Sequence, residues 1–175
     1  MFRSALGFAA AALLLGACAT LSEAPIPSGG FELSGRVAVR YAEEALSGRI
    51  FWRHSDDAEE LLITSPLGQG LARVTRSRGG YLLEASDGKT YRAADAESLT
   101  EQALGWRLPL AGLADWVRGR PAPATPSEAL GGSGREFRQD GWDVAYEEFR
   151  GGRPLRLRLT REDLEIRLIV DQWKN

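Results

Sequence analysis

Two neighbouring stretches decide the fold: FELSGRVAVRY at Phe31–Tyr41 and LSGRIFWRH at Leu46–His54. In the first stretch Val37 and Val39 fall on one side of an extended chain, and Arg36 falls on the other. The second stretch repeats this alternation, which is the period of a strand with one buried face. The connection between them is too short for a parallel crossover, so the two stretches predict an antiparallel pair.

The same alternation recurs along the rest of the chain. Further strands are predicted at Glu59–Ser65, Gln69–Arg76, Tyr81–Ser86, Lys89–Ala93 and Arg135–Gln139, and around Val144, Leu157 and Ile166. Two short helices, Asp95–Leu104 and Pro109–Val117, are predicted in mid-chain. Residues 119–134 hold three Pro and four Gly and are predicted to form a long loop. The fold class is therefore mainly β (α+β).

About ten or eleven strands, each with one apolar face, must bury those faces. A packed sandwich would do so, and so would an incomplete antiparallel β-barrel with the helices as a short lid. Eight strands already give a barrel that side chains just fill, and ten or eleven give a wider interior, so incomplete cover would leave an apolar cavity. Alternation cannot separate a cavity wall from a packed core, and both possibilities stay open.

The candidate cavity wall is the inward-facing apolar set of the strands and the second helix. Trp52 and Trp116 are the strongest candidates, because large flat side chains can line a groove without closing it. The full set is Val37, Val39, Ile50, Trp52, Leu62, Leu113, Trp116, Val117, Val144, Leu157 and Ile166.

The N-terminal residues have the composition of a secretory signal. One positive charge precedes the apolar run Ala5–Leu15, which is too short to span a bilayer. The only cysteine, Cys18, follows a leucine and two small residues, as in a bacterial lipobox. We therefore expect a lipoprotein signal peptide at 1–17, an acylated flexible tether at 18–30 and a folded domain at 31–175. An ordinary signal peptide with a chance cysteine is the alternative.

Composition excludes several classes of function. The chain has 175 residues with Lys+Arg 22 against Asp+Glu 24, so it lacks the basic balance typical of nucleic-acid binding. One Cys and one His are too few for a thiolate zinc site and for most catalytic triads. Neither a P-loop nor a G-x-S-x-G motif occurs. We expect no enzymatic activity, no metal, no cofactor and no nucleic-acid partner.

A series of short motifs in a fixed order runs from Phe31 to Trp173. The motifs are Gly35-Arg36, Phe51-Trp52, Pro66-Leu67-Gly68, Asp87-Gly88, Leu104-Gly105-Trp106, Leu108-Pro109-Leu110 and Gly141-Trp142. This series, behind a lipobox, resembles the LolB family of outer-membrane lipoprotein receptors.

The resemblance implies a function and a set of partners. LolB-like proteins are incomplete β-barrels with a helical lid. They accept triacylated lipoproteins from the periplasmic carrier LolA in an apolar cavity and insert them into the outer membrane, without nucleotide hydrolysis. The chain is then expected to be a monomer that faces the periplasm, anchored through Cys18 to the outer membrane. Ala19 agrees with that location, because the enterobacterial pattern for inner-membrane retention places Asp there.

One residue role also comes from the resemblance. In LolB a leucine in the Pro-Leu-Gly loop protrudes and is needed for insertion of cargo, and this role falls on Leu67. The main alternative is a structural outer-membrane lipoprotein with a packed core and no lipid ligand. A lipid hydrolase and a soluble carrier are the others, and the lipobox argues against the soluble carrier.

Overall fold

The computed structural model describes Ile26 and residues 29–175. The predicted signal peptide at 1–17 and the predicted lipidation site Cys18 lie outside the described residues. Within the part that is described, neither helix has the length and apolar character needed to cross a bilayer.

Residues 29–175 form eleven strands and two short helices. The strands before the helices are β1 (Phe31–Tyr41), β2 (Glu44–His54), β3 (Glu59–Thr64), β4 (Gly70–Ser77), β5 (Gly80–Ala85) and β6 (Thr90–Ala93). The helices are α1 (Ala96–Leu104) and α2 (Leu110–Trp116). The strands after them are β7 (Ser127–Ala129), β8 (Glu136–Gln139), β9 (Trp142–Arg150), β10 (Arg153–Arg161) and β11 (Leu164–Lys174).

All eleven strands belong to one antiparallel sheet with the order β6-β5-β4-β3-β2-β1-β11-β10-β9-β8-β7. The first and last strands of the chain pair at its centre, with Val39 opposite Ile166. The order ends at β6 and β7, so the sheet is open. The prediction of a mainly β, incomplete antiparallel barrel with two short helices is confirmed.

A bulge between Ser34 and Gly35 interrupts the central pairing of β1 with β11. A Cβ atom at position 35 would collide with the backbone carbonyl of Ile169, so only glycine permits this close approach. This packing requirement explains why Gly35 opens the first of the sequence motifs.

The segment 119–134 differs from the prediction, because it contains the edge strand β7. The three residues of β7 are all exposed and pair with β8, with Ala129 opposite Phe137. An exposed edge strand has no buried face and therefore no apolar alternation for the sequence to show.

Local hydrogen bonds set the ends of α1 and the course of the segment after it. The Asp95 carboxylate accepts from the Ser98 backbone N–H at 2.7 Å, and Gly105 takes the left-handed conformation (φ 78°) that ends the helix. The Thr100 hydroxyl accepts from the Leu108 N–H at 2.8 Å. These bonds hold the segment between the two helices against α1.

One buried side chain, Gln139, joins α2 and the loop after it to β8. Gln139 accepts from Trp116 Nε1 and from the Ala122 N–H, both at 2.8 Å. Its amide donates to the carbonyls of Ala122 and Thr125, at 2.9 and 2.6 Å. All of its hydrogen-bonding capacity is thus used to fix α2 and the following loop to β8.

Candidate functional site

An apolar cavity of about 280 Å³ lies between the concave face of the sheet and the segment that links α1 to α2. Strands β1 to β4, β10 and β11 supply one wall, and the helices and their linker supply the other. The lining side chains are almost all aliphatic or aromatic: Val37, Val39, Leu46, Ile50, Trp52, Leu61, Ile63, Leu71, Ala72, Leu104, Trp106, Leu108, Leu113, Leu159, Ile166 and Leu168, beside Ser47 and Gly48.

Six residues of the predicted set line this cavity: Val37, Val39, Ile50, Trp52, Leu113 and Ile166. They come from β1, β2, β11 and α2, which the sequence placed on the inner side. Their role in binding acyl chains stays a prediction.

Leu62 is on the wrong face of β3. Its neighbours Leu61 and Ile63 line the cavity, opposite Trp52 and Ile50 of β2. Because side chains alternate along a strand, Leu62 points to the other side of the sheet. Leu61, Leu62 and Ile63 are all apolar, so the sequence alone leaves the direction of this strand undecided.

Four other predicted residues are buried in the packed core and do not line the cavity. They are Trp116, Val117, Val144 and Leu157. Trp116 packs edge-on against Phe137, at 6.3 Å between ring centroids, and its indole N–H is bound to Gln139. In this part of the barrel the side chains pack against one another, so these four residues do not border the cavity.

Trp52 is held in place by a buried carboxylate. Its Nε1–H donates to Glu59 Oε1 at 2.8 Å. Its ring packs edge-to-face with Phe31, with 4.9 Å between the ring centroids. The Tyr81 hydroxyl donates to the other oxygen of Glu59 at 3.3 Å. Burial, reinforced by Glu59, raises the pKa of Tyr81 to about 12. The indole ring is therefore fixed from two sides.

Two leucines of the wall are also open to solvent and form the mouth of the cavity. Leu46 of β2 is 56% exposed and Leu71 of β4 is 41% exposed. Leu71 is the second residue of β4, which places the mouth beside the β3–β4 hairpin loop, where Leu67 is 91% exposed. The Ser65 carbonyl accepts from the Gly68 N–H at 2.9 Å, so a closed turn presents Leu67 at its tip.

Sequence reasoning missed the mouth leucines and Trp106. Leu46 and Leu71 were part of predicted strands, but alternation gives no measure of how open a position is. Trp106 was part of a family motif without an assigned place. A large aromatic residue in a short linker between two amphipathic helices was the available signal, because such a side chain must be covered by whatever the linker crosses.

Among residues 29–175 no group of three or more His, Cys, Asp or Glu side chains is arranged to hold a metal ion. The chemistry that the site offers is almost entirely apolar contact.

Comparison with known proteins assigns a family to this cavity-bearing fold. The sequence profile described as "Outer membrane lipoprotein LolB" matches residues 29–173. The chain belongs to the LolB family. Members of this family are outer-membrane lipoproteins and not enzymes, so the predictions of an outer-membrane lipoprotein and of no enzymatic activity are confirmed.

Curated relatives carry the same description over most of their length. The "Outer-membrane lipoprotein LolB" of Thiobacillus denitrificans is 42% identical over 177 residues, which cover 95% of each chain. That of Nitrosomonas europaea is 40% identical over 161 residues, covering 87% of this chain and 76% of the relative. A Pseudomonas putida LolB is 38% identical over 152 residues, covering 83% and 74%.

Two solved structures match this chain at low sequence identity. A LolA superfamily protein from Nitrosomonas europaea superposes with a TM-score of 0.47 at 14% identity, covering 82% of this chain and 85% of its own. The Mycobacterium tuberculosis lipoprotein LppX gives a TM-score of 0.35 at 15% identity, covering 81% and 86%.

Proposed function

We propose that this chain is an outer-membrane receptor that takes triacylated lipoproteins from a LolA-like periplasmic carrier and inserts them into the outer membrane. In this proposal the signal peptide 1–17 is removed and Cys18 is acylated. Residues 18–30 then tether the domain 31–175, as a monomer, on the periplasmic side. The observation that carries the proposal is the apolar cavity of about 280 Å³ with an open leucine-lined mouth.

The energetics of acyl chains explain why such a receptor is needed. Three chains of roughly fifteen methylenes, at about 0.8 kcal/mol each, make exposure to water cost on the order of 30 kcal/mol. This exceeds the strongest practical non-covalent affinities, so lipoproteins cannot cross water as free molecules. Cargo must pass by contact from one apolar shelter to the next. Differences in affinity along the route can drive this transfer without nucleotide hydrolysis.

The volume of the cavity limits what it shelters at one time. A methylene takes roughly the 30 Å³ that a water molecule occupies in the liquid, so 280 Å³ holds about nine methylenes. That is a little more than half of one acyl chain. Shelter for all three chains therefore requires the lid to move away from the sheet, or the chains to extend along the mouth past Leu46 and Leu71.

Leu67 has the exposure and support that an insertion residue needs. Its side chain is almost fully in water, while hydrogen bonds of Ser65 to Gly68 and Gln69 hold the loop closed behind it. Burying one leucine in an apolar phase contributes roughly 2 kcal/mol, which favours entry of this tip into the bilayer boundary. Because the mouth opens toward the same loop, a chain leaving the cavity would meet the membrane beside Leu67.

A reconstituted transfer reaction tests the proposal. The soluble Cys18→Ala form, made without its signal peptide, is incubated with a complex of carrier and radiolabelled lipoprotein. We expect the lipoprotein to move to the Cys18→Ala protein without ATP, and the acylated form to deliver it into liposomes. Failure to receive any lipoprotein would favour the alternative of a structural lipoprotein. A cavity that the protein's own side chains leave open argues against that alternative, because a scaffold gains stability from a packed core.

A further inference from the structure

A second concavity, of about 150 Å³, adjoins the apolar cavity at the ends of the strands. We call it the polar cleft and define it by Tyr41, Trp106, Arg107, Trp142 and Arg161. Trp106 borders both spaces, so a single indole ring is the boundary between them. The polar cleft plays no part in the proposed function as stated above.

The polar cleft continues the apolar cavity along the same strands. Val39 lines the cavity and Tyr41, two residues further along β1, lines the cleft. Leu159 and Arg161 of β10 are related in the same way. A two-residue step along a strand is about 7 Å and keeps the side chain on the same face. The inner face of the sheet thus changes from apolar to polar within about 7 Å.

The linker between the helices shows the same change on the opposite wall. Leu104, Trp106 and Leu108 line the apolar cavity, while Gly105 and Arg107 border the cleft. Both walls therefore divide the space into an apolar part and a polar part, which matches the two ends of an amphiphilic molecule.

An unsatisfied donor lies in the wall of the cleft. Trp142 is fully buried, and its Nε1–H has no acceptor in the structure. Burying a hydrogen-bond donor without an acceptor costs about 1–3 kcal/mol, so unsatisfied buried donors are uncommon in native proteins and often mark a functional site. The Arg161 guanidinium lies 5.9 Å from the Trp142 ring centroid. Arg161 makes no ion pair within the described residues, although it interacts electrostatically with Glu97.

The charges around the cleft select the kind of acceptor. Arg107 and Arg161 are opposed by three carboxylates at the rim, Glu101, Glu162 and Asp163, and Arg107 is already bound to Glu101 at 3.1 Å. This balance does not favour an anion such as a phosphate. A neutral carbonyl oxygen accepts from an indole or guanidinium N–H and adds no charge.

We propose that the polar cleft binds the carbonyl oxygens of the ester and amide links that join the acyl chains of a lipoprotein to its glyceryl-cysteine. Arg161 is one donor, and Trp142 Nε1, which is buried and becomes accessible when its neighbours shift, is the other. An acyl chain runs from there past Trp106 into the apolar cavity. The proposal rests on the proposed function and adds to it a recognition site for the polar end of the cargo. It distinguishes a lipoprotein from a bare hydrocarbon.

Two variants test the proposal on the soluble Cys18→Ala protein. Trp142→Phe removes the indole N–H and keeps a flat ring, and Arg161→Gln removes the guanidinium. Arg158→Gln is the matched control, because Arg158 lies on the same strand but on the outer face, paired with Glu147 at 3.0 Å. Binding is measured for two probes, a tripalmitoyl-glyceryl-cysteinyl peptide and hexadecane. Thermal unfolding confirms that each variant is folded.

We expect each cleft variant to bind the tripalmitoyl peptide roughly tenfold more weakly, the loss typical of one hydrogen bond that involves a charged or buried donor. Hexadecane binding and the Arg158→Gln control should not change. Equal weakening for both probes, or no weakening for the peptide, overturns the inference. If the parent protein binds neither probe, the proposed function itself fails, so the two failures are distinguishable.

A third probe separates two sources of ester carbonyls, because membrane phospholipids carry them as well. The same variants are tested with dipalmitoyl-phosphatidylglycerol. Loss with the tripalmitoyl peptide alone assigns the cleft to lipoprotein cargo. Equal loss with both supports carbonyl recognition from either source. Loss with the phospholipid alone contradicts the inference, since the acidic rim should disfavour its phosphate.

Discussion

Filling part of the apolar cavity with one larger side chain should weaken acyl-chain binding while leaving the fold intact. Ala72 of β4 lines the cavity and is partly buried against the core. The substitution Ala72→Leu places three more carbon atoms in that space. Because the cavity is unfilled, the added carbons cause little of the strain that overpacking a dense core produces.

The size of the effect follows from the volume. Three carbons occupy roughly 90 Å³ at about 30 Å³ each, which is nearly a third of the 280 Å³ available. The bound chain then loses shelter for about three methylenes, or about 2.4 kcal/mol at 0.8 kcal/mol each. We therefore expect affinity for a tripalmitoyl-cysteinyl peptide to fall about 50-fold. Stability should stay within about 1 kcal/mol of the parent, a shift in Tm of a few degrees at most.

Ala38→Leu is the matched control, since Ala38 is exposed on the outer face of β1 and does not line the cavity. Both variants are made in the soluble Cys18→Ala form, titrated with the same peptide and melted under the same conditions. Equal peptide affinity in the parent, Ala72→Leu and Ala38→Leu proteins would refute the assignment of this cavity to acyl chains. A large loss in both variants would show that the effect is not specific to the cavity.

Three further substitutions test other parts of the structure. Leu67→Glu should leave folding and cargo acceptance unchanged but stop insertion into liposomes, whereas Gln69→Glu in the same loop should insert normally. Gln139→Leu should reduce the free energy of unfolding in urea by about 3 kcal/mol. It leaves the buried Trp116 indole N–H and the backbone groups of Ala122 and Thr125 without hydrogen-bond partners. Asp95→Ala removes the cap of α1 and should cost about 1 kcal/mol. Hydrogen bonds to the Ser98 backbone and hydroxyl lower the pKa of Asp95, so this contribution is present above about pH 4 and lost as pH falls below it.

The sequence predicted the strands well because nearly every strand has one buried face. Alternation located β1, β2 and β9 to β11 and the side of each that faces inward. It was wrong on β3, where Leu62 was predicted to face inward, because three consecutive apolar residues, Leu61 to Ile63, satisfy either direction. Only the pairing of Ile63 with Ile50 and of Leu61 with Trp52 resolves it. Pairing is a long-range property, and a local pattern does not contain it.

The extent of the cavity could not be predicted from the sequence for a related reason. Val39 and Val144 have the same local pattern, and both are buried. Val39 lines the cavity, whereas Val144 is buried in the packed core. The difference lies in the elements that cover each strand. The segments that cover a strand are far away in sequence, so the alternation within one strand does not predict which residues they leave open.

The two helices are attached to the sheet by different means, and this difference bears on how cargo enters. A buried hydrogen bond from Trp116 to Gln139 ties α2 to β8, and breaking it would leave polar groups unsatisfied in the core. The hydrogen bonds that hold α1, those of Asp95 and Thr100, are within the helix or to the linker that moves with it. Within the described residues no side-chain hydrogen bond joins α1 to β5 or β6, the strands that it contacts. Lifting α1 with the linker 105–109 therefore costs apolar contact but breaks none of the described side-chain hydrogen bonds to the sheet. Under the proposed function, an arriving acyl chain would replace that apolar contact and so offset the free energy that opening costs.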